Sequence, residues 1–145
     1  MKMTIASWPF WALLSAVFAG LTAIFGKVGV ENVNSDFATL VRTVIILAVI
    51  ALIVAAGGAW QPLSEVPRRT WLFLGLSGLA TGASWLCYYR ALQLGPASGV
   101  APIDKMSVLL VALFAALFLG ERLELRNWLG IAMIAVGAVL VAARA

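Results

Sequence analysis

The fold is decided by one stretch of the chain, residues 101–122, which reads APIDKMSVLLVALFAALFLGER. It has an acid and a base, Asp104 and Lys105, near its start, an unbroken apolar run over residues 108–119, and a Gly-Glu-Arg stop at its end. Counted as a helix over residues 100–119, it is long enough to cross about 30 Å of hydrocarbon. The stretch therefore predicts a transmembrane helix with a charged pair slightly inside one end.

Composition places the chain in a membrane. Of its 145 residues, 63% are hydrophobic and 11% are charged, whereas roughly a quarter of the residues in soluble domains are charged. The formal net charge of +4 comes from dispersed lysines and arginines, which is typical of membrane-flanking charge. We therefore expect an all-α integral membrane protein in contact with the lipid bilayer, and no nucleic-acid partner.

The chain offers few groups for catalysis or for a metal. It has no histidine and a single cysteine, Cys87, so neither an intrachain disulfide nor a cysteine and histidine metal site is expected. No nucleophile elbow, phosphate-binding loop or HExxH helix is present. The sequence therefore predicts no enzyme, no metal site and no cofactor.

Five apolar segments alternate with short connections rich in turn-forming residues. Each segment is near the length of about 17 to 25 residues that a spanning helix needs. Since no connection is long enough for an extramembrane domain, the sequence predicts one five-helix transmembrane domain over residues 1–145. The helices are predicted at about residues 8–28, 37–56, 70–92, 100–119 and 128–143.

Small residues indicate where helices approach one another. Gly78 and Gly82 form a GxxxG pair in the third segment, and steps of three and four residues along the same face lead to Trp85 and Tyr89. This face predicts close packing at the glycines. The two aromatic residues either line a ligand path or belong to an interfacial aromatic belt. The predicted helix-packing residues are Gly78, Gly82, Ala112 and Ala116.

The basic residues are shared equally between the two predicted sides of the membrane. With an odd number of helices, one side carries Lys2, Arg68, Arg69, Arg122 and Arg126, and the other carries Lys27, Arg42, Arg90, Lys105 and Arg144. Because the positive-inside rule then gives no preference, the sequence predicts insertion in both orientations. The alternative is that the partly buried basic residues do not count, which would make the side of Lys2 cytoplasmic.

Several charged residues fall within the predicted helices. Arg42 and Asp104 each lie on the order of 6 Å inside, and Lys27 and Arg90 lie near helix ends. Long basic side chains can snorkel to the interface, but Asp104 is too short to do so. The aspartate is therefore expected to face a wet cavity or to pair with a basic residue, either Lys105, Arg42 or Arg90. Basic groups around one acid favour an anionic or zwitterionic solute.

These residues resemble the EamA family of the drug/metabolite transporter superfamily. The exit of the fourth helix, residues 115–123, contains the LGE signature, and Trp128-Leu129-Gly130 is similar to the start of the closing helix. Further similarities are Ala91-Leu92, residues 97–102, Lys27, Arg42 and Gly137. The resemblance covers essentially the whole chain.

The resemblance implies a transporter built from a five-helix repeat, of which many members carry two. A chain with one repeat would need a partner, most simply a second copy of itself inserted in the opposite direction, which gives the inverted symmetry common in alternating-access carriers. The related small multidrug pumps carry an acid in the first helix. Residues 8–25 contain none here, so Asp104 is the candidate substitute.

We therefore predict an antiparallel homodimeric carrier of a small polar metabolite, amino-acid-like or drug-like, in the cell inner (plasma) membrane. In this hypothesis Asp104 and Lys105 gate or couple transport. Arg42 and Lys27 attract the negative group of the solute, and Trp85 and Tyr89 line its path. The predicted substrate-binding residues are Lys27, Arg42, Trp85, Tyr89, Arg90, Asp104 and Lys105. The alternatives are a flippase subunit for a lipid-linked intermediate, which would need a different EamA-like partner, and a membrane scaffold that transports nothing.

Overall fold

The computed structural model describes residues 7–143, and that part of the chain is built from α-helices joined by short turns. One 3₁₀ turn, Leu63–Glu65, lies in the longest connection. The helices are α1 (Trp8–Gly29), α2 (Ser35–Ala56), α3 (Arg68–Leu94), α4 (Ala97–Asp104), α5 (Ser107–Phe118) and α6 (Leu125–Ala142). The predicted all-α class is confirmed.

Five spans are long and apolar enough to cross a membrane: α1, α2, α3, α6, and α4 with α5 taken together as Ala97–Phe118. Most large apolar side chains are exposed, and few of the described apolar residues are buried. A soluble protein rarely leaves so much apolar surface open to water. This exposure, together with the length and composition of the helices, agrees with an integral membrane protein.

Helix α2 begins two residues before the predicted start because Asn34 caps it. The Asn34 side chain accepts hydrogen bonds from the backbone N–H of Asp36, at 2.9 Å, and of Phe37, at 3.2 Å. These bonds satisfy two of the N–H groups that a helix start leaves unpaired. The negative charge of Asp36 in the first turn also suits the positive end of the helix dipole.

The fourth span, predicted as one helix over residues 100–119, consists of two helical segments, α4 and α5. The structure begins it at Ala97 and interrupts it at Lys105 and Met106, between α4 and α5. Backbone bonds there include ones that reach back three residues. The Lys105 N–H is shared between the Ala101 carbonyl at 3.3 Å and the Pro102 carbonyl at 3.1 Å, and the Met106 N–H bonds to the Ile103 carbonyl at 2.9 Å. Pro102, inside α4, lacks an N–H and so cannot bond back to the Ser98 carbonyl. Apolar content alone does not reveal this interruption.

Gly120 ends the second half of this span as the sequence predicted, with the helix itself ending at Phe118. Its φ of +67° lies in the left-handed region, which glycine adopts without steric cost. The turn brings the Glu121 N–H to the Ala115 carbonyl at 3.1 Å. The Gly-Glu-Arg stop is therefore a helix terminus followed by a short connection to α6.

The chain divides into two compact units. The central unit is Gly29–Gln93, and the terminal unit is formed by Met1–Val28 and Leu94–Ala145. In the terminal unit α6 contacts both α4 and α5. Ala112 on α5 is buried and Ala116 is half-buried. Small residues of this kind allow two helices to approach closely.

Gly78 and Gly82 lie on α3 in the central unit. Gly78 is exposed and Gly82 is half-buried. A Cβ atom added to either glycine would meet no described atom within 4 Å. The part of the chain that the structure describes therefore places no close neighbour on this face, and its role in helix packing stays a prediction.

Candidate functional site

Polar residues follow one face of α2 in the central unit. Ser35, Thr39 and Arg42 are spaced by four and three residues, which places them on the same side of the helix. Ser35 and Thr39 are 1% and 5% exposed. The Thr39 hydroxyl donates to the Ser35 carbonyl at 2.8 Å, and the Thr43 hydroxyl donates to Thr39 at 2.7 Å. The threonine hydroxyls thus bond back to their own helix, while Arg42 reaches beyond it.

Arg42 extends to two aromatic rings on α3. Its Cζ atom lies 3.9 Å from the centroid of the Trp85 ring and 5.3 Å from that of Tyr89. Both distances are within the range of about 6 Å for cation–π attraction. Trp85 and Tyr89 are one helical turn apart, so they present their rings to the same guanidinium. The structure therefore brings together three of the predicted site residues.

One nitrogen of this guanidinium, Arg42 Nη1, is buried and makes no hydrogen bond to any residue that the structure describes. A buried donor without a partner costs about 1–3 kcal/mol, and more when it is charged. Carboxylate and phosphate oxygens are the acceptors that match the planar fork of an arginine. The arrangement is suited to binding an anionic group at the edge of the guanidinium.

Gln93 is a site residue that the sequence analysis missed. Its Nε2 donates to the Val33 carbonyl at 3.0 Å and lies 3.5 Å from the Val30 carbonyl. Its Oε1 accepts a hydrogen bond from Arg90 Nη1 at 3.2 Å. The predicted face of α3 that contains Trp85 and Tyr89 reaches Gln93 after one more step of four residues. Extending that pattern by a turn would have found it.

The charged pair predicted at the start of the fourth span lies in the terminal unit. Asp104 is the last residue of α4, and its Oδ2 lies 3.1 Å from Lys105 Nζ. The Asp104 and Lys105 side chains are 35% and 54% exposed. Of the expected partners of the aspartate, Lys105 is the one that the structure shows. The pair coincides with the interruption between α4 and α5.

Lys27 belongs to the terminal unit and is engaged there. Its Nζ donates to the Gly95 carbonyl at 3.0 Å, which places its charge beside the turn that follows α3. Its predicted part in attracting a solute stays a prediction, as does that of Arg90. Lys2 and Arg144, which entered the count of charges on the two membrane sides, lie outside the described residues.

The described residues contain no group of three or more His, Cys, Asp or Glu side chains that could hold a metal. The central unit instead contains the Arg42 guanidinium beside the rings of Trp85 and Tyr89. The terminal unit offers an ion pair at a break in a helix. Such arrangements are suited to reversible binding and to conformational change within a membrane.

Comparison with protein families gives a match over residues 6–143 to the EamA-like transporter family. A relative described as an uncharacterized transporter in the cobO 3' region, from Sinorhizobium sp, is 70% identical over 136 residues, which are 94% of this chain and 96% of the relative. No solved structure matches the chain.

More distant relatives carry a more specific description. The probable 4-amino-4-deoxy-L-arabinose-phosphoundecaprenol flippase subunit ArnE of Yersinia pestis (strain Pestoides F) is 36% identical over 86 residues, which are 59% of this chain and 75% of the relative. The ArnE protein of Yersinia pseudotuberculosis serotype O:1b (strain IP 31758) shows the same identity and coverage.

Proposed function

Because this chain belongs to the EamA-like transporter family, we propose that it is a carrier of a small polar metabolite that bears a negatively charged group. The observation that supports this proposal is the Arg42 guanidinium, which lies over the Trp85 ring and has a buried nitrogen without an acceptor among the described residues. An acidic group of the solute would supply that acceptor.

The Trp85 ring limits how the acid can bind. The ring centroid lies 3.9 Å from the Arg42 Cζ atom, so an anion is expected to approach the N–H groups from a side that the ring does not occupy. Charge-assisted bonds are shorter and roughly twice as strong as neutral ones. Tyr89 is buried, at 6% exposed, and its ring is the second aromatic neighbour of the guanidinium. In this proposal Arg90, in the same unit as Arg42, adds positive potential that attracts the solute.

The helix interruption at Asp104 and Lys105 is the proposed coupling element. Discontinuous transmembrane helices commonly form the sites where carriers bind substrates and coupling ions. A mid-helix stretch of three-residue bonds is also a common place for a hinge. We propose that a change in the Asp104–Lys105 pair accompanies the change of access from one side of the membrane to the other.

We further propose that the five helices act as one domain and that two copies pair in opposite orientations in the plasma membrane. Large apolar side chains are exposed on every one of the five spans, which leaves surface for both lipid and a second copy. Two inverted copies would supply the ten helices and the pseudo-twofold symmetry of an alternating-access carrier.

Reconstitution into liposomes tests the proposed activity. The purified protein is offered a panel of labelled solutes that contains carboxylic acids, amino acids, sugar phosphates, neutral sugars and organic cations. We expect accumulation of at least one solute with a carboxylate or phosphate, and none of the neutral sugars. Uptake of cations with no uptake of any acid would contradict the proposal.

A second candidate function is that of a flippase subunit for a lipid-linked intermediate. It is favoured by the 36% identity to ArnE proteins, which are described as flippase subunits. The phosphate of such a lipid could bind Arg42 in the same way as a soluble acid. This function would require a different EamA-like chain as partner, and its recovery with the tagged protein from membranes would distinguish the two candidates.

Cysteine labelling tests the antiparallel arrangement. Single cysteines replace Asn32, which follows α1, or Gln61, which follows α2, in a Cys87→Ser background. Because the basic residues show no clear bias between the two sides, we expect each cysteine to be labelled from outside intact cells in about half of the molecules.

The Cys87→Ser protein without a new cysteine is the control and should not be labelled. Labelling of one of the two positions in nearly all molecules, with none at the other, would refute the antiparallel homodimer. That result would favour a parallel dimer or the flippase subunit with a separate partner.

A further inference from the structure

The turn between α1 and α2 is attached to the far end of α3. Gln93, in the last turn of α3, donates from Nε2 to the carbonyl of Val33 at 3.0 Å and lies 3.5 Å from that of Val30. Val30 is fully buried, and Asn34 at the end of the turn caps α2. A single side-chain amide thus connects the segment that starts α2 to the end of α3.

Arg90 determines which way this amide faces. Its Nη1 donates to Gln93 Oε1 at 3.2 Å, so the oxygen of the amide is turned towards the arginine and the two N–H groups are turned towards the carbonyls of the turn. An amide rotated by half a turn would place its oxygen against two carbonyl oxygens and lose all three interactions. Arg90 therefore orients Gln93 from one turn earlier on the same helix.

Two contacts involve α2 and α3, one at Gln93 and one at Arg42, and the distance between them is similar along the two helices. Arg42 is seven residues beyond Ser35, a rise of about 10 Å, and Trp85 is eight residues before Gln93, a rise of about 12 Å. With the start of α2 held at Gln93, the opposite course of the helices brings Arg42 level with Trp85 and Tyr89. A slip by one helical turn, about 5.4 Å, would take the guanidinium off the Trp85 ring, which now lies 3.9 Å from its Cζ atom.

We propose that Gln93 is a positioning residue, which sets the register of α2 against α3 and so holds the Arg42 guanidinium on the Trp85 and Tyr89 rings. This inference rests on the proposed function, in which Arg42 binds the acidic group of the solute. Gln93 itself touches no solute. Its contribution is to keep the anion-binding edge in place while the solute comes and goes.

The test measures the position of Arg42 without any solute. Nuclei above an aromatic ring are shifted to lower frequency by the ring current, so in arginine-labelled protein in detergent the Arg42 side chain should give a displaced NMR signal. The spectrum of Arg42→Lys identifies that signal by its loss. In Gln93→Glu the side chain keeps its size and can still accept from Arg90, but it cannot donate to the Val33 carbonyl.

We expect the Arg42 NMR signal to lose most of its ring-current displacement in Gln93→Glu. Gln61→Glu, the matched control at the chain's other glutamine, should leave that displacement unchanged. A full displacement in Gln93→Glu would overturn the inference. Gln93→Lys restores a donor towards the two carbonyls and should retain the displacement. If Gln93→Glu does not yield folded protein, Gln93→Ala decides, because a full displacement of the Arg42 signal without the side-chain amide would overturn the inference.

The outcome is independent of transport. A displaced Arg42 signal that depends on Gln93 would support the register even if Arg42 variants transported every solute normally, in which case the proposed function alone would fail. Conversely, an Arg42 signal that is indifferent to Gln93 would reject the positioning role and leave the proposed function standing.

Discussion

Replacing Arg42 by glutamine is expected to lower uptake of the carried acid by about 30-fold, because a hydrogen bond to a charged group is worth about 1.5–3 kcal/mol. Glutamine can still donate one hydrogen bond but carries no charge and has no planar fork. Arg42→Lys keeps the charge and should give an intermediate loss, since lysine acts as a point charge. The measurement is the initial rate of uptake into proteoliposomes at several solute concentrations.

Arg126→Gln is the matched control for this experiment. Arg126 forms an ion pair with Glu124 at 2.8 Å, and its side chain is 80% exposed, so its loss should leave uptake nearly unchanged. If Arg42→Gln transports at the rate of the original protein, the anion-binding role is refuted. If the change affects thermal stability alone in a chain that transports nothing, the scaffold alternative gains support.

Replacing Asp104 by asparagine is expected to abolish accumulation against a gradient while exchange of solute across the membrane continues. One coupled charge moving through a membrane potential of 100 mV supplies about 2.3 kcal/mol, which is roughly a 50-fold concentration ratio. Without the ionisable group, the solute concentrations inside and outside the liposomes should become equal. The measurement compares steady-state accumulation with solute exchange at equal internal and external concentrations, in the same proteoliposomes.

Asp36→Asn provides the control at the chain's other aspartate. Asp36 lies in the first turn of α2, where its charge contributes to helix stability and has no proposed part in coupling. Full accumulation by Asp104→Asn would rule out coupling through this residue. Equal loss of accumulation and of exchange would instead indicate that Asp104 is required for the conformational change itself.

Much of the molecule could be predicted because membrane insertion depends on properties that a sequence displays directly. Apolar length and turn residues located all five spans, with boundaries displaced by a few residues. The displacement at α2 came from the Asn34 cap, which extends a helix beyond its apolar run. The resemblance to the EamA family rested on short motifs at helix ends, and the family match over residues 6–143 confirms it.

The site was predictable in its residue types but less so in its geometry. Arg42, Trp85 and Tyr89 stood out as a charge and two aromatic residues within apolar helices, and the structure brings them together. Gln93 did not stand out, because a glutamine near a helix end is ordinary in any sequence. Its partners are 60 and 63 residues away in the chain, and no local pattern reports such a distance.

The sequence by itself determined that the chain is an all-helical membrane protein with five spans, because hydrophobicity, span length and turn chemistry are local properties that need no knowledge of neighbours. Only the tertiary structure decided that Arg42 lies over Trp85, that Gln93 bonds to the turn before α2, and that the fourth span is interrupted beside Asp104. The first two depend on the register between helices distant in sequence. The third depends on how backbone bonds are redistributed at Lys105 and Met106, which apolar periodicity does not record.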